Sequence, residues 1–343
     1  MLPVRRPVSG RRLGAVNRVE KKIVSQFDLT RDFKKRYLEK IIFRHPQFGA
    51  AIKCVGRCGL TLLIWPRWIA PFRWHLRHLE CRLPHLPPEF DGFQILHLTD
   101  LHSGMTHLKY LQNSLRHAVD QKPDLIVITG DVIDYRPEAL QALEAVLPLL
   151  DAPHGVWTIL GNHDYHEYSW RHVGERSSHR AIHRRLLASL NRHHIHLLRN
   201  ASASIRLGKA EITLVGLDEL WTGRSDPRAA FAGMAADSVT ICLQHNPDAI
   251  ENLRPFKWDW MLCGHTHGGQ VHLPLLGPLF VPVADRRYLR GIFEFPTASG
   301  APAERRYALV STGIGYSLPV RWFVRPESIM LTLRRGTSGY RWL

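Results

Sequence analysis

The 343-residue sequence predicts an α/β fold in which two packed sheets are flanked by helices. Three observations carry this expectation. From residue 94 to 160, short apolar runs alternate with amphipathic helical patterns, the order of a parallel sheet covered on both faces. Further apolar runs follow, too many for one open sheet of usual width, so a second sheet is expected. Polar residues recur at the C-terminal ends of the strands, where such sheets place their sites.

The chain opens with a different composition. Residues 1–90 hold 19 Lys and Arg against 6 Asp and Glu, so +13 of the formal +16 belongs to this segment. Residues 1–25 read as loose and basic. "FDLTRDFKKRYLEKIIFRH" (27–45) reads as a helix starting at Asp28 or Thr30, with apolar residues at Phe33, Tyr37 and Ile41. Residues 48–79 interleave Trp65, Trp68, Phe72 and Trp74 with Lys53, Arg57, Arg67, Arg73 and Arg77. Aromatic rings beside cations suit the headgroup layer of an anionic membrane, with 27–80 as the docking segment. An arm packed on the body with snorkelling arginines, or one binding nucleic acid, stays open as an alternative. The prolines of "RLPHLPPEF" (82–90) read as a linker, so the expected domains are a basic helical arm at 1–90 and a catalytic body at 91–343.

The arginine pairs near the start are not followed by an apolar h-region, so no cleavable signal is expected. The uncharged run "CGLTLLIWP" (58–66) is far short of the roughly 20 residues that span a bilayer. A cytoplasmic protein, peripheral on the inner face of the cell membrane, is the expectation. Cys54, Cys58, Cys81, Cys242 and Cys263 are odd in number and scattered, which reads as reduced thiols.

In the body, "FQILHLTD", "LIVITGD" and "GVWTILGNHD" read as strands, separated by helices at "LKYLQNSLRHAVDQKPD" and "ALQALEAVLPLL". Later strands are expected at 210–220, 238–248, 258–269, 306–315 and 328–334. The ends of these strands carry the chemistry. They read Asp100-Leu101-His102, then Gly130-Asp131 with Asp134 beyond, then Asn162-His163-Asp164, then His245, then His265-Thr266-His267. Carboxylates and a carboxamide mixed with neutral imidazoles suit Mn, Fe, Zn or Co rather than Ca or Mg alone. Side-chain alternation along a strand predicts that Asp100 and His102 chelate one ion together, and likewise His265 and His267. Gly264, Gly268 and Gly269 suit a tight loop around metal, with His272 outside it.

"HLTDLHSG", "ITGDVIDY", "LGNHDYH", "LQHNPD" and "GHTHGGQ", in that order over residues 91–335, resemble the calcineurin-like metallophosphoesterases. The resemblance implies a four-layer β-sandwich flanked by helices and two divalent ions, manganese first. It implies Asp100, His102 and His267 on one ion, Asp131 bridging, and Asn162, His245 and His265 on the other. It gives His163 the task of protonating the leaving oxygen or stabilising transferring charge, and Asp134 that of orienting His163. A metal pair of this kind lowers the pKa of water and favours direct hydrolysis at phosphorus, with no covalent enzyme intermediate. Calcineurin-type phosphatases carry arginine after the GDxxD aspartate, whereas here Tyr135 follows Asp134, so recognition of a small phosphomonoester by that arginine does not carry over.

"GHTHGGQ" with "LVSTGIGYSLPVRWFVRPE" looks like the bacterial membrane-associated subgroup of broad-specificity phosphodiesterases and chlamydial-type UDP-2,3-diacylglucosamine diphosphatases. The implied partner is a lipid-linked or nucleotide-containing phosphate. A nuclease or cyclic-nucleotide phosphodiesterase is the alternative. Arg171, Arg176, Arg180, Arg184 and Arg185 follow GNHD and read either as a cap for an anionic headgroup or as a solvated helix face.

Overall fold

A computed structural model describes residues 65–343, apart from 135, 166–175, 236, 280 and 298–304 and the side chains of 137 and 176–179. The basic segment 1–64, with the helix expected at 27–45 and with Cys54 and Cys58, lies outside the described residues, as do Tyr135 and Arg171.

Fifteen strands and five α-helices are assigned among the described residues. The strands are β1 (His75–Leu83), β2 (Gln94–Leu98), β3 (Leu125–Thr129), β4 (Val156–Ile159), β5 (Ile195–Leu197), β6 (Ala201–Leu207), β7 (Ala210–Gly216), β8 (Thr240–Leu243), β9 (Trp260–Cys263), β10 (His272–Leu273), β11 (Gly277–Pro278), β12 (Gly291–Pro296), β13 (Arg305–Val310), β14 (Glu327–Arg335) and β15 (Gly339–Trp342). The helices are α1 (Leu108–Val119), α2 (Pro137–Glu144), α3 (Arg176–Arg192), α4 (Pro227–Ala230) and α5 (Ile250–Leu253).

Two sheets form, in the orders β15-β1-β14-β2-β3-β4-β5 and β12-β13-β9-β8-β7-β6, with β10 and β11 as a separate hairpin. Strands β2 to β5 run parallel, as do β7, β8, β9 and β13. The alternation of side chains splits the core into layers. Ile95, Leu125 and Val127 meet Leu214, Leu243 and Leu262 between the sheets. Leu96, Ile126 and Ile128 point the other way, onto Leu111 and Leu115 of α1, Leu143 of α2 and Leu186 of α3. On the far face Val215, Cys242 and Met261 are covered by Ala230 of α4 and Leu253 of α5. This is the four-layer sandwich with outer helices that the sequence predicted.

The boundary at residue 90 does not hold in the fold. β1 lies between β14 and β15, inside the segment expected as arm, with Leu79, Cys81 and Leu83 buried between the sheets. Its period-2 apolar spacing wins over the cationic residues that suggested an amphipathic helix. Trp74 packs inward too, its Nε1 donating to Ser328 Oγ at 3.1 Å. The expected linker carries a buried Phe90 in a single 3-10 turn. No helix of the described residues is long and apolar enough to cross a membrane. Cys81, Cys242 and Cys263 are free and buried.

Candidate metal centre

Each candidate ligand sits just past a strand, in a turn rather than on the strand itself. Asp100, His102, Asp131, His265 and His267 all have positive φ, between 43° and 70°. Side chains rarely adopt this conformation because Cβ crowds the carbonyl, and such strain collects at functional sites. The glycines of the loops make room for it. A Cβ on Gly161 would strike Asp131 Oδ1, and one on Gly264 would strike Thr99 Oγ1 and Asp100 Oδ2. Backbone bonds stitch the turns together: Asp100 N to Gly130 O at 3.1 Å, His102 N to Asp131 O at 3.0 Å, and Gly264 N to His245 O at 3.0 Å.

Because the chain turns here, alternation along a strand does not decide which side chains meet. His265 and His267 part company. Asp100, His102 and His267 form one group whose ligand atoms all lie within 4.8 Å of one another, and Asp131, His245 and His265 form another. Asp131 with His102 and His163 makes a third. His102 Nε2 lies 3.6 Å from Asp131 Oδ2, and His245 Nε2 lies 3.3 Å from the same oxygen, so Asp131 sits between the two groups. Asn162 Oδ1 joins the second group, 2.8 Å from His265 Nδ1 and 3.2 Å from His245 Nε2. The seven residues singled out from the sequence are therefore all brought together.

The hydrogen bonds identify what this arrangement suits. His245 Nδ1 lies 2.7 Å from Thr129 O and His265 Nε2 lies 3.0 Å from Pro282 O. A carbonyl only accepts, so each of those nitrogens carries the hydrogen and the other ring nitrogen of the neutral imidazole is a lone pair. Those lone pairs face oxygens of Asp131 and Asn162, acceptor against acceptor. His102 Nε2 and His267 Nε2 converge at 3.0 Å, near enough for one ion to take both. A cation placed between them satisfies all of these donors at once, and a carbonyl on the remote nitrogen is how metal-binding histidines are usually oriented. The residues fit a pair of divalent ions.

The electrostatics agree. Burial pushes the Asp100 carboxyl up to about 6, with Asp131 adding to the effect. Burial also disfavours charge on Asp131, but His245, His163 and His102 around it hold its carboxyl well below the usual range. Burial pushes His102 down to about 4 and His265 to about 3, so both rings are neutral. His245 goes the other way: against burial, Asp131 and Asp100 raise it to about 10. A proton there fills the place that a cation between the same groups would take.

His163 and Asp134 lie at the rim. The His163 backbone N–H donates to Asp131 Oδ1 at 2.8 Å, its ring stands edge-on to His102, and its Nδ1 lies 3.5 Å from Asp134 Oδ1. The His163 side chain keeps 27% of its exposure while the ligands around it are nearly all covered. Asp164 braces this turn, accepting from Gly161 N and Ile133 N. In α3, Ile182, Leu186 and Leu190 are in the core, and Arg180, Arg184 and Arg185 are exposed, which suits either reading of these three. His272 lies in the β10–β11 hairpin, outside the three groups, as expected.

One residue escaped the sequence reading. Arg321 is fully buried; its Nη2 donates to Thr312 O at 2.8 Å and Gly315 O at 2.6 Å and lies 3.4 Å from His267 Nδ1. It ties the 312–315 turn to the back of the metal-binding loop. Among the arginines of "VRWFVRPE" nothing in the sequence distinguishes it.

The sequence model of the calcineurin-like phosphoesterase family matches residues 93–269. Among curated relatives, the phosphodiesterase YaeI of Escherichia coli is 34% identical over 260 residues, covering 75% of this chain and 87% of the relative. The metallophosphoesterase YkuE of Bacillus subtilis is 31% identical over 255 residues, covering 73% and 82%. The UDP-2,3-diacylglucosamine pyrophosphatase LpxG of Chlamydia muridarum is 29% identical over 307 residues, covering 77% and 90%.

Proposed function

The chain belongs to the calcineurin-like phosphoesterase family, a family of hydrolases, and on that premise we propose that it cleaves a phosphodiester or diphosphate bond of a membrane-linked molecule such as UDP-2,3-diacylglucosamine. The observation that carries this reading is the pair of donor groups joined at Asp131. Asp100, His102 and His267 would hold one divalent ion, Asn162, His245 and His265 the other, and Asp131 would serve both, with manganese the first choice and Fe, Zn or Co the others. Bound there, two such ions supply Lewis acidity that neutralises the phosphate and makes water nucleophilic at neutral pH. Thr129 and Pro282, through their carbonyls, keep the lone pairs of His245 and His265 turned inward. His163, at the open rim and backed by Asp134, gives a proton to the leaving oxygen or stabilises charge on the group in transfer.

The substrate class rests on relatives, one named a phosphodiesterase and another a pyrophosphatase of an acylated nucleotide sugar. The basic N-terminal segment suits a peripheral place on the inner face of the cell membrane. The test is hydrolysis by the manganese-supplemented protein of an aryl phosphodiester, UDP-2,3-diacylglucosamine, glycerophosphodiesters, cyclic nucleotides and single-stranded DNA. His163→Ala is expected to slow turnover by about 10²–10⁴-fold, and Asp131→Asn to abolish it. Wild type as inert as both variants with every divalent metal sinks the enzyme reading; preference for cyclic nucleotides or DNA replaces the lipid-linked substrate.

A further inference from the structure

The loop that carries His265 and His267 goes on into a half-buried hairpin whose tip faces solvent. Its tip and flanks expose Leu275 (106%), Leu276 (78%) and Leu279 (64%). Beside it the 318–323 segment exposes Leu318 and Phe323, and the turn after residue 65 exposes Trp68. Backbone bonds join these pieces into one lip. His272 N donates to Trp322 O at 2.9 Å, Trp322 N to Gln270 O at 2.8 Å, Leu279 N to Val271 O at 2.9 Å and Arg321 N to Pro66 O at 2.8 Å. Leu275 and Phe323 hold positive φ, 69° and 53°, which bulky residues avoid unless something else is gained. Large apolar side chains gathered on a tip mark an interaction surface rather than the scattered exposure of an ordinary protein.

The fringe of the lip is cationic. Arg67 stacks over Trp68 and Arg73 over Trp65. Arg290 Nη1 donates to Phe323 O at 3.3 Å, and Arg325 Nε to Arg73 O at 3.1 Å. Arg290 and Arg325, with His75 and Arg77, line a cavity of about 400 Å³ whose one acidic lining residue, Glu327, pairs with Arg77 at 3.2 Å. Apolar residues at the tip, aromatic rings behind them and guanidiniums around them match the depth profile of a bilayer: acyl chains, interface, anionic headgroups.

We infer that this lip docks the protein on a bilayer containing anionic phospholipid, with Leu275 and Leu276 among the acyl chains and a headgroup phosphate in the arginine-lined cavity. Both ends of the hairpin touch the metal centre, since Gln270 N donates to His267 O at 3.1 Å and Pro282 O accepts from His265. Docking therefore sets the metal centre beside the headgroup layer, where a lipid-linked diphosphate lies. The consequence for turnover rests on the proposed substrate class, whereas the docking itself does not.

The experiment uses the full chain and vesicles of equal parts phosphatidylcholine and phosphatidylglycerol, with pure phosphatidylcholine vesicles as the comparison. Co-sedimentation is measured at roughly 0.15 M and about 1 M salt, the latter screening charges beyond about 3 Å so that apolar insertion is read separately. The double variant Leu275→Asp/Leu276→Asp is expected to lose at least tenfold of its affinity for the mixed vesicles at either salt. Arg290→Gln/Arg325→Gln is expected to lose affinity at the lower salt and its preference for the anionic vesicles. Hydrolysis of a soluble aryl phosphodiester by the leucine variant stays at the wild-type rate, while hydrolysis of a vesicle-embedded diphosphate falls with binding. Unchanged vesicle affinity in the leucine variant overturns the inference, and so does a wild-type dimer that the same variant converts to monomer with vesicle affinity unaltered. If the wild type binds vesicles through the lip but hydrolyses no phosphoester, it is the proposed function that fails and not the docking surface.

Discussion

At the scale of single residues, the body of this protein keeps several histidines neutral by burying them, and His97 shows the effect away from the metal centre. Its ring is covered, Nε2 lies 2.8 Å from Thr129 Oγ1, and burial pushes its pKa from 6.5 to about 3. The folded value lies below the unfolded one, so as pH falls the unfolded chain takes up this proton first. Stability from the site is complete above pH 6.5 and is lost between there and about pH 3, at no more than ~1.4 kcal/mol per pH unit. His97→Gln removes the titration. Urea midpoints measured across that window should therefore fall less steeply with acid than those of the wild type; parallel lines would mean that His97 is not buried neutral. Arg321 makes a second case. Removing its guanidinium leaves the buried carbonyls of Thr312 and Gly315 without this donor, at about 1–3 kcal/mol for each group left unsatisfied. Arg321→Met should lower the thermal midpoint by several degrees, and an unshifted midpoint would show that water replaces the guanidinium freely.

Elements explain why turns rather than strands deliver the ligands. β2, β3, β8 and β9 stop together at one rim; the turns after β2, β3 and β9 put one or two side chains inward at positive φ, and the one after β8 presents His245 without it. Gly161 and Gly264 lie where those turns touch, each against a carboxylate. Gly264→Ala is expected to displace Asp100 and to reduce bound manganese at least tenfold by elemental analysis, with an overpacking cost of about 1–3 kcal/mol. Full metal content in that variant would show that the rim relaxes. The same turns mark the limit of what the sequence made legible. The strands from 94 to 160 and the polar residues ending them could be read because apolar periodicity is local and strong. The pairing of His267 with Asp100 and His102, rather than with His265, could not be read from spacing, because alternation fails once φ turns positive; the family resemblance supplied it. β1 was missed because five charged or imidazole side chains in "HLRHLECRL" hide the spacing of Leu79, Cys81 and Leu83. Arg321 left no mark at all, since its role depends on carbonyls that the fold brings to it.

For the whole molecule, the fold places two charge regimes in one chain. A protein beginning at residue 91 lacks β1, so it loses the buried Leu79, Cys81, Leu83 and Phe90 and opens β14 and β15 to water. At about 1.5–3 kcal/mol for each large apolar side chain, that loss rivals the roughly 5–15 kcal/mol that holds a whole domain together. Such a protein should fail to unfold cooperatively, whereas one beginning at residue 65 keeps the sheet. The shorter chain then isolates the contribution of the basic segment. Residues 1–64 hold 15 Lys and Arg against 4 Asp and Glu, a net +11, which leaves +5 for residues 65–343. Each cation near an anionic surface contributes about 1 kcal/mol, and screening shortens the reach of that attraction from about 8 Å at physiological salt to about 3 Å at 1 M. Burial of Leu275 and Leu276 in a bilayer carries no such dependence. Binding of the full chain to anionic vesicles should therefore weaken steeply as salt rises, and binding of the 65–343 chain should be weaker at low salt and fall less steeply, keeping only the dependence that Arg290 and Arg325 supply. Parallel salt dependence for the two chains would locate the electrostatic contribution in the folded body and remove the N-terminal segment from membrane attachment.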